Sequence, residues 1–342
     1  MHSITRALIT LGISIGLWAS LIELATAEKS TTAVTMCAFD PIGGNGPIFQ
    51  AFVDYQTTAL AWGATIKLIP YTDERVASED FKAGVCDLVN LSGLRARSYN
   101  HFTGTLDSIG SIPTYKHLKT TLATLAKKNA AKFMRSGEYE VIGILPIGAI
   151  YPFVTDKSIN SPEALAGKRI AVLDNAPEMQ ILVAQSGMTP VASTLSNAFA
   201  KFNNHTVDIA GGPALAFEPM ELHKGMEPNG GIVNFPLLQA TLQMVARTDA
   251  LPAEFGQSSR EYISSNFDTA LKLITEAEQR IPNKYWIDVK NTNGENWDEV
   301  FRQNRLALRD EGIYDAKALT VLRKIRCSLD PRRSECTAPD KE

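Results

Sequence analysis

The sequence predicts an α/β fold built as a clamshell, with two doubly wound α/β lobes joined by extended hinge segments and a helical C-terminal part. Three observations carry this prediction. A β-α-β-α-β order occupies residues 33–91, the same order returns over residues 169–210, and extended apolar stretches suited to crossing between lobes run at 139–154 and 231–236. A chain of 342 residues is long enough for about two domains of common size. Its 44% hydrophobic and 21% charged residues describe a globular body, not a disordered one. A net charge of −3 supplies no basic field for a nucleic-acid backbone.

Residues 1–27 read as a cleaved signal peptide. Arg6 gives the positive start, residues 7–22 are uncharged, and Ala25-Thr26-Ala27 is a small-x-small cleavage site. The uncharged run is short of the ~20 residues a spanning helix needs, so no membrane anchor is expected in the mature chain from residue 28 onward. Lobe I is expected over 28–150. Its first strand, Ala33-Val34-Thr35-Met36-Cys37-Ala38-Phe39, ends in the loop 40–46, and Pro47 opens a helix closed at Gly63. Residues 65–69 form a second strand, 73–83 a second helix stopped by Gly84, and 88–91 a third strand.

Lobe II is expected over 151–235. It holds a strand at 169–173, a helix at 176–186, a short strand at 189–191, a helix at 196–203 and a strand at 207–210. The two units end alike, Phe81 to Leu88 aligning with Phe202 to Ile209, so His205 stands where Gly84 does and a left-handed backbone is expected at both. Asp87 and Asp208 precede the last strand of each unit and read as acceptors for local backbone donors. Helices at 258–267, 269–280, 296–310 and 315–325, within about 250–326, are expected to pack back across the lobes.

Four cysteines in an exported chain allow three pairings. Cys327 and Cys336 lie close together in a polar tail (327–342) that a disulfide would staple, and Cys37 then pairs with Cys86 by default. Zinc ligation would need C-x-x-C or H-x-x-x-H spacing, which these residues lack, so no metal and no cofactor are expected.

Residues 159–172, Ile159-Asn160-Ser161-Pro162-Glu163-Ala164-Leu165-Ala166-Gly167-Lys168-Arg169-Ile170-Ala171-Val172, resemble the opening of the second lobe in TRAP-type (DctP-like) periplasmic solute-binding proteins. Met36-Cys37-Ala38-Phe39-Asp40, Asp73-Glu74-Arg75-Val76-Ala77, Arg95-Ala96-Arg97-Ser98-Tyr99-Asn100 and Lys201-Phe202-Asn203-Asn204 resemble the AdeT-like subgroup of solute-binding proteins. The resemblance covers nearly all of the mature chain. It implies a type II periplasmic-binding-protein clamshell in the periplasm that captures a small-molecule solute, usually a small organic acid, and hands it to TRAP-type membrane transporter subunits. The AdeT-like resemblance alternatively implies an accessory protein of an RND-type efflux or envelope complex with no transport ligand. TRAP-type proteins grip the ligand carboxylate with an arginine at the place of Ala171, and an asparagine usual before the following proline is Gly212 here.

Candidate ligand contacts follow from the cleft's position at the carboxyl ends of strands. Arg95 and Arg97 follow the third strand, and their planar guanidinium groups suit a carboxylate or phosphate; the alternative is a solvated pair or an ion pair with Asp73 or Glu74. Asp40 ends the first strand before the glycine-containing loop that carries Asn45, and reads either as a grip for an ammonium or hydroxyl or as a turn-forming residue. Tyr71, Tyr99, Tyr151 and Phe235 are aromatic candidates for the cleft wall, and Asn234 adjoins Phe235 on the second crossing. Asp174-Asn175 after the first strand of lobe II, and Gly212 after its last, stand where ligand contacts arise in such folds. Catalytic signals are poor. The nucleophile-elbow pattern Gly12-Ile13-Ser14-Ile15-Gly16 falls inside the signal peptide, and His101, His117, His205 and His223 have no paired spacing, so no enzyme is expected. The expected function is capture of a small polar, anionic organic solute.

Overall fold

The computed structural model describes residues 31–288, 297–340 and 342. The expected signal peptide and its cleavage site lie outside the described residues. No described helix is long and apolar enough to cross a membrane.

Eleven strands among the described residues form one sheet: β1 (Thr32–Phe39), β2 (Ala64–Tyr71), β3 (Leu88–Ser92), β4 (Arg135–Ser136), β5 (Tyr139–Val154), β6 (Arg169–Leu173), β7 (Thr189–Ser193), β8 (Ile209–Pro213), β9 (Gly231–Val233), β10 (Leu238–Arg247) and β11 (Trp286–Ile287). Their main path runs β2-β1-β3-β10-β5-β8-β6-β7. In the first lobe β2 and β3 lie parallel to β1, the chain crossing back through the Pro47–Ala61 and Glu74–Lys82 helices. In the second, β7 and β8 lie parallel to β6.

The first crossing is more than a tether. β5 pairs antiparallel with β10 as far as Ile150, then with β8 from Ile150 to Val154, so one 16-residue strand belongs to both lobes. The register shifts between Ala240 and Thr241, where Gly148 takes φ +111° beside the extra residue Ile147. The second crossing, expected as an extended segment at 231–236, begins as the strand β9, which pairs with β5 and β11; the chain then returns through β10, a ten-residue strand the sequence pattern does not single out. Gln239, Thr241 and Gln243 alternate along β10 and are all buried, which hides the strand from a hydrophobic-inside reading. Thr241 and the Gln243 amide N–H group are satisfied there: Thr241 donates its N–H and its hydroxyl to Asp107, and Gln243 donates to the carbonyl of Thr103.

The internal repeat is exact at the level of backbone bonding. The Asp87 N–H donates to the Thr35 carbonyl while its carboxylate accepts from the Thr35 N–H; Asp208 does the same with Arg169. Gly84 (φ +80°) and His205 (φ +53°) are both left-handed, and Phe81 and Phe202 are both fully buried. Both expected disulfides form: Cys37–Cys86 ties β1 to the turn before β3, and Cys327–Cys336 ties the Ala316–Leu329 helix to the tail.

The C-terminal helices touch both cores. Phe267 sits in the first lobe's cluster and Ala277 and Ile281 in the second's, so the Phe267–Arg280 helix runs along both. The tail is held by a buried charge cluster. Arg305 and Arg326 donate to the carboxylates of Glu335 and Glu342, and also to the carbonyls of Ile109 and Ser111. The tail thereby fixes the segment that carries Asp107.

Candidate functional site

β3 ends at Ser92, whose hydroxyl accepts from the Arg95 N–H and starts the short turn Gly93–Ala96. The turn needs glycine at its start, because a Cβ at Gly93 would overlap the Asp107 carboxylate beneath it. Arg95 and Arg97 leave this turn toward the opposite lobe. Arg95 donates Nη2 to Asp174 Oδ1 at 2.8 Å, and its Nε lies 3.1 Å from Glu74 Oε1. Arg97 forms a two-pronged pair with Glu178, Nη2 to Oε1 at 2.7 Å and Nη1 to Oε2 at 3.0 Å. Its two side chains are only 11% and 6% exposed, so this pair is nearly dry. The Tyr314 ring lies 5.4 Å from the Arg97 guanidinium. At the rim, the Ser196 hydroxyl donates to Asp73 at 3.3 Å. All three contacts join the lobes.

Electrostatics follow from this packing. Burial pulls the Arg97 pKa down, but Glu178, with smaller help from Tyr314 and Asp107, outweighs it, and the net shift is upward. Arg95 is likewise raised, Glu74 and Asp174 outweighing the burial that opposes them. Burial raises the Glu74 carboxyl against the pull of Arg95. Asp107, fully enclosed, is pushed up to about 7 by burial despite two bonds from Thr241. Two guanidinium groups pair here with the carboxyl groups of Glu74, Asp174 and Glu178.

Of the residues the sequence singled out, Arg95, Arg97 and Asp174 come together. The ion pair with Glu74 weighed for the arginines exists on Arg95, but the decisive partners lie in the other lobe. Asp40 does local work instead: its carboxylate accepts the N–H groups of Ile42, Ile48 and Phe49, tying the loop 41–46 to the start of the Pro47–Ala61 helix. Asn45 is exposed on that loop. Tyr71 donates its hydroxyl to Asp80, and burial together with that carboxylate pushes its pKa to about 12. Tyr151, expected in the cleft wall, is buried against Trp286 and donates to Glu278, which also accepts from Tyr115. Gly212 is covered by the Phe199 and Phe153 rings. Asn234 is exposed, and Phe235 packs on Phe301, 5.5 Å between ring centres.

Glu178 escaped the sequence reading because an acid in the first turn after Pro177 is what any helix start favours. Asn175, three residues earlier, carries both side-chain polar atoms buried with no hydrogen-bond partner among the described residues. It shares the β6-to-helix loop with Asp174.

Residues 58–341 match the family model for solute-binding protein AdeT 1/2. The chain belongs to this family. It is 41% identical over 302 residues to the probable solute-binding protein AdeT1 of Acinetobacter baumannii, covering 88% of this chain and 99% of that one. Its fold is similar to a TRAP periplasmic solute-binding protein of Desulfovibrio salexigens with bound orotic acid (TM-score 0.69, 11% identity, 87% and 99% of the two chains). A TRAP protein of Ralstonia eutropha with bound (S)-2-acetolactate is equally similar (TM-score 0.69, 14% identity, 86% and 99%). The fold is thus the type II clamshell expected from sequence, in a family of solute-binding proteins, a class that does not catalyse.

Proposed function

We propose that this AdeT1/2-family protein is a periplasmic receptor that closes on a small polar organic solute bearing a carboxylate and delivers it to a membrane transporter of the TRAP type. The observation that carries this reading is the meeting of Arg95 and Arg97 from one lobe with Asp174 and Glu178 from the other, at the carboxyl ends of β3 and β6. A guest held there bridges both lobes and favours the shut state in proportion to its differential affinity for it. The organic acids bound by the two TRAP structures support a solute with negative charge. Closure is assigned to the crossings at 151–154 and 234–236. Thermal-shift and calorimetric screening against organic acids, amino acids and sugars tests the reading: a guest at about 100 Kd adds about 2.7 kcal/mol, and a panel without any stabilising member refutes it.

A second reading, an accessory protein of an RND-type efflux or envelope complex, is favoured by one feature: both arginines already pair with the protein's own carboxylates. Co-purification of an efflux component, with no solute bound, would favour it.

A further inference from the structure

We propose that the guest is a zwitterion, a small amino acid or similar molecule with a carboxylate and a cationic nitrogen, which enters between Arg97 and Glu178. This inference rests on the receptor reading above and names its substrate class. The Arg97–Glu178 pair joins the two lobes, so parting the lobes separates it. A molecule clamped at this point has a guanidinium on one side and a carboxylate on the other.

Charge then selects the guest. An acid with no amine takes over Arg97 but leaves Glu178, only 6% exposed where it pairs with Arg97, facing a second anion with no cation of its own. A simple amine makes the opposite error at Arg97. A zwitterion replaces each lost partner with an equivalent one, carboxylate to Arg97 and cationic nitrogen to Glu178, and keeps the cleft as balanced as it was. Arg95, the neighbouring guanidinium among the described residues, is already shared between Glu74 and Asp174 and so gives an unaccompanied acid little extra positive charge. Asn175 supplies an independent sign of a polar guest in the same loop. Its amide has one donating and one accepting end, both buried and unpartnered among the described residues, and these match the two ends of a zwitterion.

The test is titration calorimetry of the mature chain with matched pairs: L-leucine against 4-methylpentanoate, L-glutamate against glutarate, 4-aminobutyrate against butyrate, with D-glucuronate as an amine-free sugar acid. In the unmodified protein at least one amino acid binds tenfold or more tightly than its amine-free partner, about 1.4 kcal/mol. Glu178→Gln, nearly isosteric, erases that preference and leaves the amine-free acid bound equally or better, with the thermal midpoint reporting that the variant is folded. If it does not fold, the preference of the unmodified protein decides. Tight binding of glucuronate or another amine-free acid, or an amino-acid preference that survives Glu178→Gln, overturns the zwitterion and leaves the receptor standing. Failure of every probe to bind either protein overturns both.

Discussion

Glu335→Gln is the sharpest test of how the C-terminal tail holds the first lobe. The Glu335 carboxylate accepts two bonds from Arg326 at 2.7 Å, one from Arg333 at 2.8 Å and a longer one from Arg305 at 3.3 Å, and the residue is 3% exposed. Burial pushes its pKa up, but Arg326 and the other guanidinium groups outweigh it and lower the pKa from 4.5 to about 2. The unfolded chain therefore binds the extra proton between these two values, and stability rises with pH across that window. The contribution is complete above about pH 4.5 and is lost as pH falls through about 2. At 1.36 kcal/mol per pH unit, it amounts to about 3 kcal/mol at neutral pH. Seen from the other side, the same removal leaves Arg305 and Arg326 sharing Glu342 alone, an imbalance whose usual cost of about 3–5 kcal/mol when buried agrees with that figure. Denaturant unfolding of both proteins at pH 7 and pH 2.5 should show a loss of about 3 kcal/mol at pH 7 that shrinks markedly at pH 2.5. An equal loss at both pH values, or less than about 1 kcal/mol at pH 7, refutes the reasoning.

Other expectations concern the joints. The disulfides close loops with sequence separations of 49 and 9, so chain entropy assigns about 4 kcal/mol to Cys37–Cys86 and about 2.6 kcal/mol to Cys327–Cys336; paired Cys→Ala variants measured by denaturant unfolding should preserve that order. Arg97→Ala, removing the two-pronged pair, should shift the protein toward the open form, read as a larger radius of gyration by small-angle X-ray scattering; an unchanged radius would show that the pair does not hold the lobes. Gly148→Ala should destabilise by about 1–3 kcal/mol, since its φ of +111° disfavours any Cβ and that atom would lie 2.8 Å from Ile274 Cγ2. Asp107→Asn should flatten stability between about pH 4 and 7: the folded pKa near 7 exceeds the ordinary carboxylate value, so this group makes the native state progressively less stable as pH rises through that range.

What the chain's order of residues determined by itself was everything settled within a short span. The paired α/β units, the left-handed positions at Gly84 and His205, and the acceptor roles of Asp87 and Asp208 depend on periodicity and on backbone donors a few bonds away or in the adjacent strand. The stapled tail followed from two cysteines too close in sequence to miss. The tertiary structure alone decided the rest. In β10, Thr241 and Gln243 place their donors inside the fold because Asp107 and Thr103, more than a hundred residues earlier, receive those hydrogen bonds. Asp40 reads from sequence as a cleft grip or a turn former and Tyr151 as cleft wall; the hydrogen-bond partners that engage them, backbone donors at a helix start and the Glu278 carboxylate, are set by the fold. Arg97 could be recognised as a guanidinium in search of a carboxylate, yet its partner stands 81 positions away in the other lobe. An ion pair is chosen by which side chains a shared strand and its crossovers bring within about 3 Å, and no local pattern encodes that distance.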